Sequence, residues 1–175
     1  MNTFRLLCLF FIIGQGLCCR TASAQQLSLS QLVQLSRLDT DEINDYLVAR
    51  NWAFDGVVKA SDNYDKTQLG TWIFKSTGSS SYLGAAARVF LSRTSGGSIN
   101  ILYIVTDKKY FDSIKSKLLI STCTKLFSEP STECVGARYF CSDYGQFMCV
   151  ARTCKYRSHR VSYTITVSGK PTTSE

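Results

Sequence analysis

The stretch Ala137–Val167, ARYFCSDYGQFMCVARTCKYRSHRVSYTITV, constrains the fold more than any other. Near its end Val161, Tyr163, Ile165 and Val167 alternate with Ser162, Thr164 and Thr166. Side chains along a strand point alternately to opposite faces, so this spacing makes one apolar and one polar face. Such a strand belongs to an antiparallel sheet buried on one side and wet on the other. The whole stretch reads as three short strands joined by two tight turns. It also holds three of the cysteines, the only histidine and the densest basic cluster.

Upstream, the periodicity changes. Leu29, Leu32, Val33 and Leu35 within Gln25–Leu38 predict a short amphipathic helix with Ser28 or Ser30 as N-cap. Asp39 followed by Glu42 resembles a capping box, and Ile43, Tyr46, Leu47 and Arg50 share one face of the helix it starts. Strands are predicted at Trp52–Ala60, Leu69–Lys75, Ala86–Arg93 and Ile99–Thr106, with turns at Ser61–Asp65 and Ser76–Ser81 and a hairpin at Thr94–Ser98. Asp107 caps a further helix reaching about Ser121, with Tyr110, Phe111, Ile114, Leu118 and Leu119 at helical spacing. Thr122–Phe127 reads as a strand and Ser128–Ser131 as a loop. The expected class is α+β, with helices on one face of a mostly antiparallel sheet.

The N-terminus predicts the compartment. Leu6–Leu17 is nearly all apolar, the length of a signal-peptide core and too short to span a bilayer. Thr21-Ala22-Ser23-Ala24 supplies small residues for cleavage, so residues 1–24 read as a signal peptide and Gln25 as the mature N-terminus. The rival reading is a lipid anchor at Cys18 or Cys19, but Leu17 stands where a lipobox needs a small residue. One domain is expected over residues 25–168, followed by a disordered tail at 169–175. Loss of Arg5 and Arg20 leaves 18 basic residues against 13 acids, a net charge of +5. That charge supports affinity for anionic surfaces and nothing narrower.

Cys8, Cys18 and Cys19 leave with the signal; Cys123, Cys134, Cys141, Cys149 and Cys154 stay. In an exported protein these are expected to form disulfides. Two bridges and one spare thiol allow 15 arrangements among the five, which spacing does not distinguish. The expected pairing is Cys123–Cys134 across the loop after a helix and Cys141–Cys149 across a hairpin, leaving Cys154. The spacings are not those of paired zinc knuckles, and no metal or cofactor is expected.

The chain also hints at repetition. Trp72-Ile73-Phe74-Lys75-Ser76 has a counterpart in Arg138-Tyr139-Phe140-Cys141-Ser142. Arg93-Thr94 precedes Tyr103 much as Arg152-Thr153 precedes Tyr163. Two helix-plus-meander repeats, 28–106 and 107–168, follow from this. With the aromatic-marked first strand Asn51-Trp52-x-Phe54, the element order resembles the two-repeat architecture of β-lactamase-inhibitory-protein-like folds, and that of small exported bacterial proteins. The resemblance implies a layout of helices on one sheet face. It transfers no inhibitor residues, and the cysteines follow no pattern matched to that fold.

Little in the chain spells out chemistry. Cys154 and His159, five residues apart at a hairpin tip, form the sharpest nucleophile–base candidate, though no acid nearby orients the ring. The acids fall in helix caps and turns, with no glycosidase-like pair. The Gly96-Gly97-Ser98 turn precedes no helix and cradles no phosphate. Between Val135 and Ser168, however, Arg138, Arg152, Lys155, Arg157 and Arg160 stand against Asp143 alone. Interleaved tyrosines suit a recognition surface. The expected contact residues are Arg138, Tyr139, Tyr144, Arg152, Lys155, Tyr156, Arg157 and Arg160, and the expected partner is an anionic surface or an acidic protein. Nucleic acid is not expected, for no RNP-type motif is present. The expected function is an exported, non-enzymatic binding module, against the alternatives of an exported thiol-dependent or hydrolytic enzyme and a structural envelope component.

Overall fold

Two reciprocal caps begin the fold. Ser28 Oγ accepts from the Gln31 backbone N–H at 3.3 Å while Gln31 Oε1 accepts from Ser28 N–H at 2.8 Å. In the same way Asp39 accepts from Glu42 N–H at 2.8 Å and Glu42 from Asp39 N–H at 3.1 Å. These boxes open helices α1 (Leu29–Leu35) and α2 (Thr40–Val48) in the computed structural model, which describes residues 26–56, 66–75, 85–94, 98–143, 145–155 and 161–169. At 7 residues α1 is too short to persist alone, and burial of Leu29, Leu32, Val33 and Leu35 holds it. After α2 the chain turns through Asn51 at φ 62, a left-handed conformation that asparagine tolerates, and Trp52 N–H closes on the Leu47 carbonyl at 3.1 Å.

Strands β1 (Ala53–Gly56), β2 (Lys66–Lys75), β3 (Ala85–Thr94) and β4 (Ile99–Val105) follow, then α3 (Lys108–Ile120), capped by the Asp107 side chain on Lys109 N–H. The chain ends in β5 (Cys123–Pro130), β6 (Cys134–Cys141), β7 (Phe147–Lys155) and β8 (Val161–Gly169). Most predicted elements stand within a few residues of their expected bounds. The expected loop at Ser128–Ser131 is mostly strand, because β5 runs on to Pro130, opposite Val135. Proline is tolerated there since β5 is an edge. The turn at Ser61–Asp65, the loop at Ser76–Ser81, most of the Thr94–Ser98 hairpin and the tail beyond Gly169 lie outside the described residues.

The eight described strands form one antiparallel sheet in the order β1-β2-β3-β4-β8-β7-β6-β5. Each half is helical and then a four-stranded meander, and the last strands of the two halves meet at the centre. Tyr103 lies opposite Ile165, Ile104 opposite Thr164, and Val105 opposite Tyr163. Superposing Tyr103 on Tyr163 maps this ladder onto itself, with Ile104 and Thr164 as the pair that exchanges places. A local pseudo-twofold axis therefore passes between these two residues. The similar segments noted in the sequence fall on corresponding strands, β2 with β6 and β3 with β7. The register nevertheless corrects the arginine match. Arg152 faces Thr164 and Arg88 faces Ile104, so Arg88, and not Arg93, is the counterpart of Arg152.

One face of the sheet is covered. Leu32, Leu35, Ile43, Leu47, Phe111, Ile114 and Leu118 from the helices join Val89, Leu91, Ile101, Tyr103, Val105, Cys149, Ile165 and Val167 in one core. Phe111 meets Tyr163 with ring centroids 5.2 Å apart, and Trp52 meets Tyr103 at 6.3 Å. Gly169 lets α1 approach β8, since a Cβ there would stand 3.2 Å from the Ser36 carbonyl oxygen.

The disulfides differ from expectation. Cys123 is bonded to Cys141 and Cys134 to Cys154, while Cys149 is a free, buried thiol. Register is the reason. Cys123 lies directly opposite Cys141, and Cys134 directly opposite Cys154, each with Cα atoms 4.0 Å apart. Cys141 instead faces Phe147, and Cys149 faces Tyr139, so the expected Cys141–Cys149 bridge is offset along the strands. Strand β6 is thus fastened to β5 at one end through the covered face and to β7 at the other end through the opposite face.

Candidate functional site

The alternation that buries Val89, Leu91, Ile101, Tyr103, Ile165 and Val167 sends their neighbours to the other face, where no described helix packs. Register orders these neighbours in rows. The row through the pseudo-twofold axis runs Arg88–Ile104–Thr164–Arg152–Gly136 across β3, β4, β8, β7 and β6, and ends at Glu129 on the edge strand. The next runs Phe90–Leu102–Thr166–Val150–Arg138–Phe127. A third carries Ser92, Asn100, Ser168, Met148, Phe140 and Thr124.

The result is an apolar field set with guanidinium groups. Phe90, Leu102, Ile104, Met148 and Val150 are half-buried, and Phe127 and Phe140 are 48% and 36% exposed. Arg88 and Arg152 flank the axis, one strand outside the central pair. Three inter-strand steps of roughly 4.8 Å separate their backbones by about 14 Å. Arg138 is diagonal to Arg152, and its guanidinium stands 5.0 Å from the Phe127 ring centroid, a cation–π contact. Arg152 is laid flat by Gly136: a Cβ at 136 would stand 2.4 Å from Arg152 Cγ and 2.5 Å from the Ala151 carbonyl oxygen. At one end of the face a groove of about 330 Å³ opens between Phe140, Gln146, Phe147, Met148, Ser168 and Gly169.

Of the contact residues expected from sequence, Arg138 and Arg152 share this face. Tyr139 does not, being 3% exposed on the covered face beside Cys149. Period-two alternation forces that separation from Arg138. Burial raises the Tyr139 hydroxyl pKa, as befits a core side chain. Lys155 is exposed at the end of β7, on the parity of the covered face. Tyr144, Tyr156, Arg157 and Arg160 lie outside the described residues, as does His159. Sequence reasoning missed Arg88. The alternation of Ala85, Ala87, Val89 and Leu91 with Arg88 and Phe90 carried the signal, but only the β4–β8 junction brings it into line with Arg152.

The Cys154–His159 pair loses its nucleophile, because Cys154 Sγ is bonded to Cys134. Cys149 keeps its thiol, but burial pushes its pKa up to about 12, far from the thiolate that nucleophilic chemistry needs. Tyr103 is likewise pushed up to about 12 by burial; its hydroxyl lies near the Leu27 backbone without a well-formed hydrogen bond. Among the described residues no group of three His, Cys, Asp or Glu side chains is placed to hold a metal, and no helix is long and apolar enough to cross a membrane. Comparison with protein-family models, curated proteins and solved structures returns no match, so the face is read from its own geometry.

Proposed function

We propose that the protein is an exported, non-catalytic binding module that grips an acidic protein partner on the sheet face opposite the described helices. The observation that carries this reading is the row Arg88–Ile104–Thr164–Arg152, with two arginines placed symmetrically about the centre of an apolar field. Arginine among half-buried aromatic and aliphatic side chains is the composition of interface cores. Arg88, Arg138 and Arg152 put three positive charges on this face among apolar side chains, so the complementary surface is acidic around apolar groups. A partner offering two carboxylate clusters about 14 Å apart matches the arginine spacing. The signal-like N-terminus motivates the reading of export, and the two disulfides, which fit an oxidising compartment, support it. The likeness in element order to β-lactamase-inhibitory-protein-like folds remains a proposal about layout and brings no inhibitory activity with it.

The test is a titration of a fluorescent peptide carrying two Glu-rich clusters around aromatic residues, followed by anisotropy. The wild-type protein is expected to bind, and affinity falls steeply as salt shortens the screening length from about 10 Å at 0.1 M to about 3 Å at 1 M. Arg88→Glu/Arg152→Glu abolishes binding with the thermal transition intact. Equal affinity in that variant overturns the proposal.

A further inference from the structure

The helix layer carries a second exposed feature, on the side of the molecule opposite the arginine face. Helix α3 buries Phe111, Ile114 and Leu118. A rotation of about 100° per residue then turns Lys109, Ser116 and Ile120 away from the sheet and puts Leu119 and Lys117 on the flanks. Ile120 is 81% exposed and Leu119 66%, an adjacent aliphatic pair standing in water at the helix end. Lys109, Lys115 and Lys117 are exposed on the same helix, while Lys108 is engaged by Asp112 at 2.5 Å. Lys117, Ile120 and Ser121 frame a groove of about 340 Å³ with Ser28, Leu29 and Ser30.

Single exposed aliphatic residues are ordinary; an adjacent pair at the end of a helix whose exposed surface carries Lys109, Lys115 and Lys117 is a different arrangement. At a bilayer interface, aliphatic side chains reach the acyl boundary while ammonium groups stay among anionic headgroups. We infer that the C-terminal end of α3 docks the protein on an anionic lipid surface, with Leu119 and Ile120 inserted and Lys109, Lys115 and Lys117 on the headgroup phosphates. A second copy is the poorer occupant, because twofold pairing through this patch sets lysines against lysines. Docked in this way, the protein presents the arginine face of its sheet away from the membrane. The inference rests on α3 alone and stands independently of the arginine face.

The test is co-sedimentation of the protein lacking residues 1–24 with vesicles of phosphatidylcholine, with and without phosphatidylglycerol. Binding is expected only to the phosphatidylglycerol vesicles. Lys115→Gln/Lys117→Gln lowers the partition coefficient by roughly fivefold per lysine. Leu119→Ser/Ile120→Ser lowers it by about tenfold or more. Measured at about 0.15 M salt, where a screening length of about 8 Å shields the far face, Arg88→Glu/Arg152→Glu leaves it within about twofold, and unaltered thermal transitions show that each variant is folded. Equal binding to both vesicle types, or full binding by the Leu119→Ser/Ile120→Ser variant, overturns the inference. So does loss of binding in the arginine variant, which moves the lipid site to the sheet. A concentration-dependent dimer abolished by Ile120→Ser also overturns it, in favour of a second copy.

Discussion

Replacing Gly136 with alanine tests the packing that lays Arg152 across the sheet. A methyl group at 136 meets Arg152 Cγ at 2.4 Å and the Ala151 carbonyl oxygen at 2.5 Å, both well inside van der Waals contact. The first neighbour is a side-chain atom that can swing aside; the second is backbone, and moving it prises β6 from β7. Overpacking of this kind costs about 1–3 kcal/mol. Removing glycine from a strand returns about 0.5–1 kcal/mol. Contacts this short, one of them to backbone, place the cost at about 2–3 kcal/mol, so the net loss is about 1–2.5 kcal/mol, a fall in Tm of about 2–10 °C for a domain of this size. Urea unfolding followed by tryptophan fluorescence should show a lower midpoint with an unchanged m-value. Arg152→Ala in the same background relieves the Cγ contact and leaves the carbonyl contact, so the double variant recovers only part of the loss relative to Arg152→Ala alone. A Gly136→Ala protein as stable as wild type, or complete recovery in the double variant, refutes the claimed backbone contact.

Other outcomes are equally specific. In the exported form Ellman's reagent should find no reactive thiol in the native protein and one, Cys149, after unfolding without reductant; a peptide map should link Cys123 to Cys141 and Cys134 to Cys154. Cys134→Ala/Cys154→Ala, which opens a loop closed over a sequence separation of 20, should cost about 3 kcal/mol in denaturant titrations. Tyr103→Phe should be neutral or slightly stabilising in the same titration, within about 1 kcal/mol, because the hydroxyl is buried without a well-formed partner. Asp143 accepts from the Thr122 backbone N–H at 2.9 Å and from its hydroxyl, and these bonds hold its pKa below the usual carboxylate value. A depressed folded pKa stabilises above the unfolded value of about 3.9, and that stability is lost as pH falls through the folded value. The stability difference between wild type and Asp143→Asn should therefore be flat above about pH 4 and shrink below it.

The local structure was legible wherever one short-range rule decided it. Asp39 with Glu42 announces a capping box, and both of its reciprocal bonds are formed; the alternation of Val161–Val167 announces a sheet with one wet face. What escaped depended on contacts distant in sequence. Cysteine spacing carries no information on strand register, and register alone puts Cys123 opposite Cys141. Tyr139 adjoins Arg138 in sequence, but a strand sends adjacent residues to opposite faces, and Tyr139 is buried on the covered one. Arg88 lay unremarked 64 positions before Arg152, because no local signal tells that β4 pairs with β8. The site is a product of topology, assembled where the two meanders join.

The most direct measurement is a residue-resolved map of binding on the isotopically labelled protein, by amide chemical-shift changes during titration with the two-cluster acidic peptide. Shifts are expected to concentrate on the central strands, around Arg88, Ile104, Thr164 and Arg152, reaching Val150 and Arg138 and sparing α3. Shifts confined to the lysines of α3, or spread evenly over every basic residue, would rule out the arginine face as the binding surface.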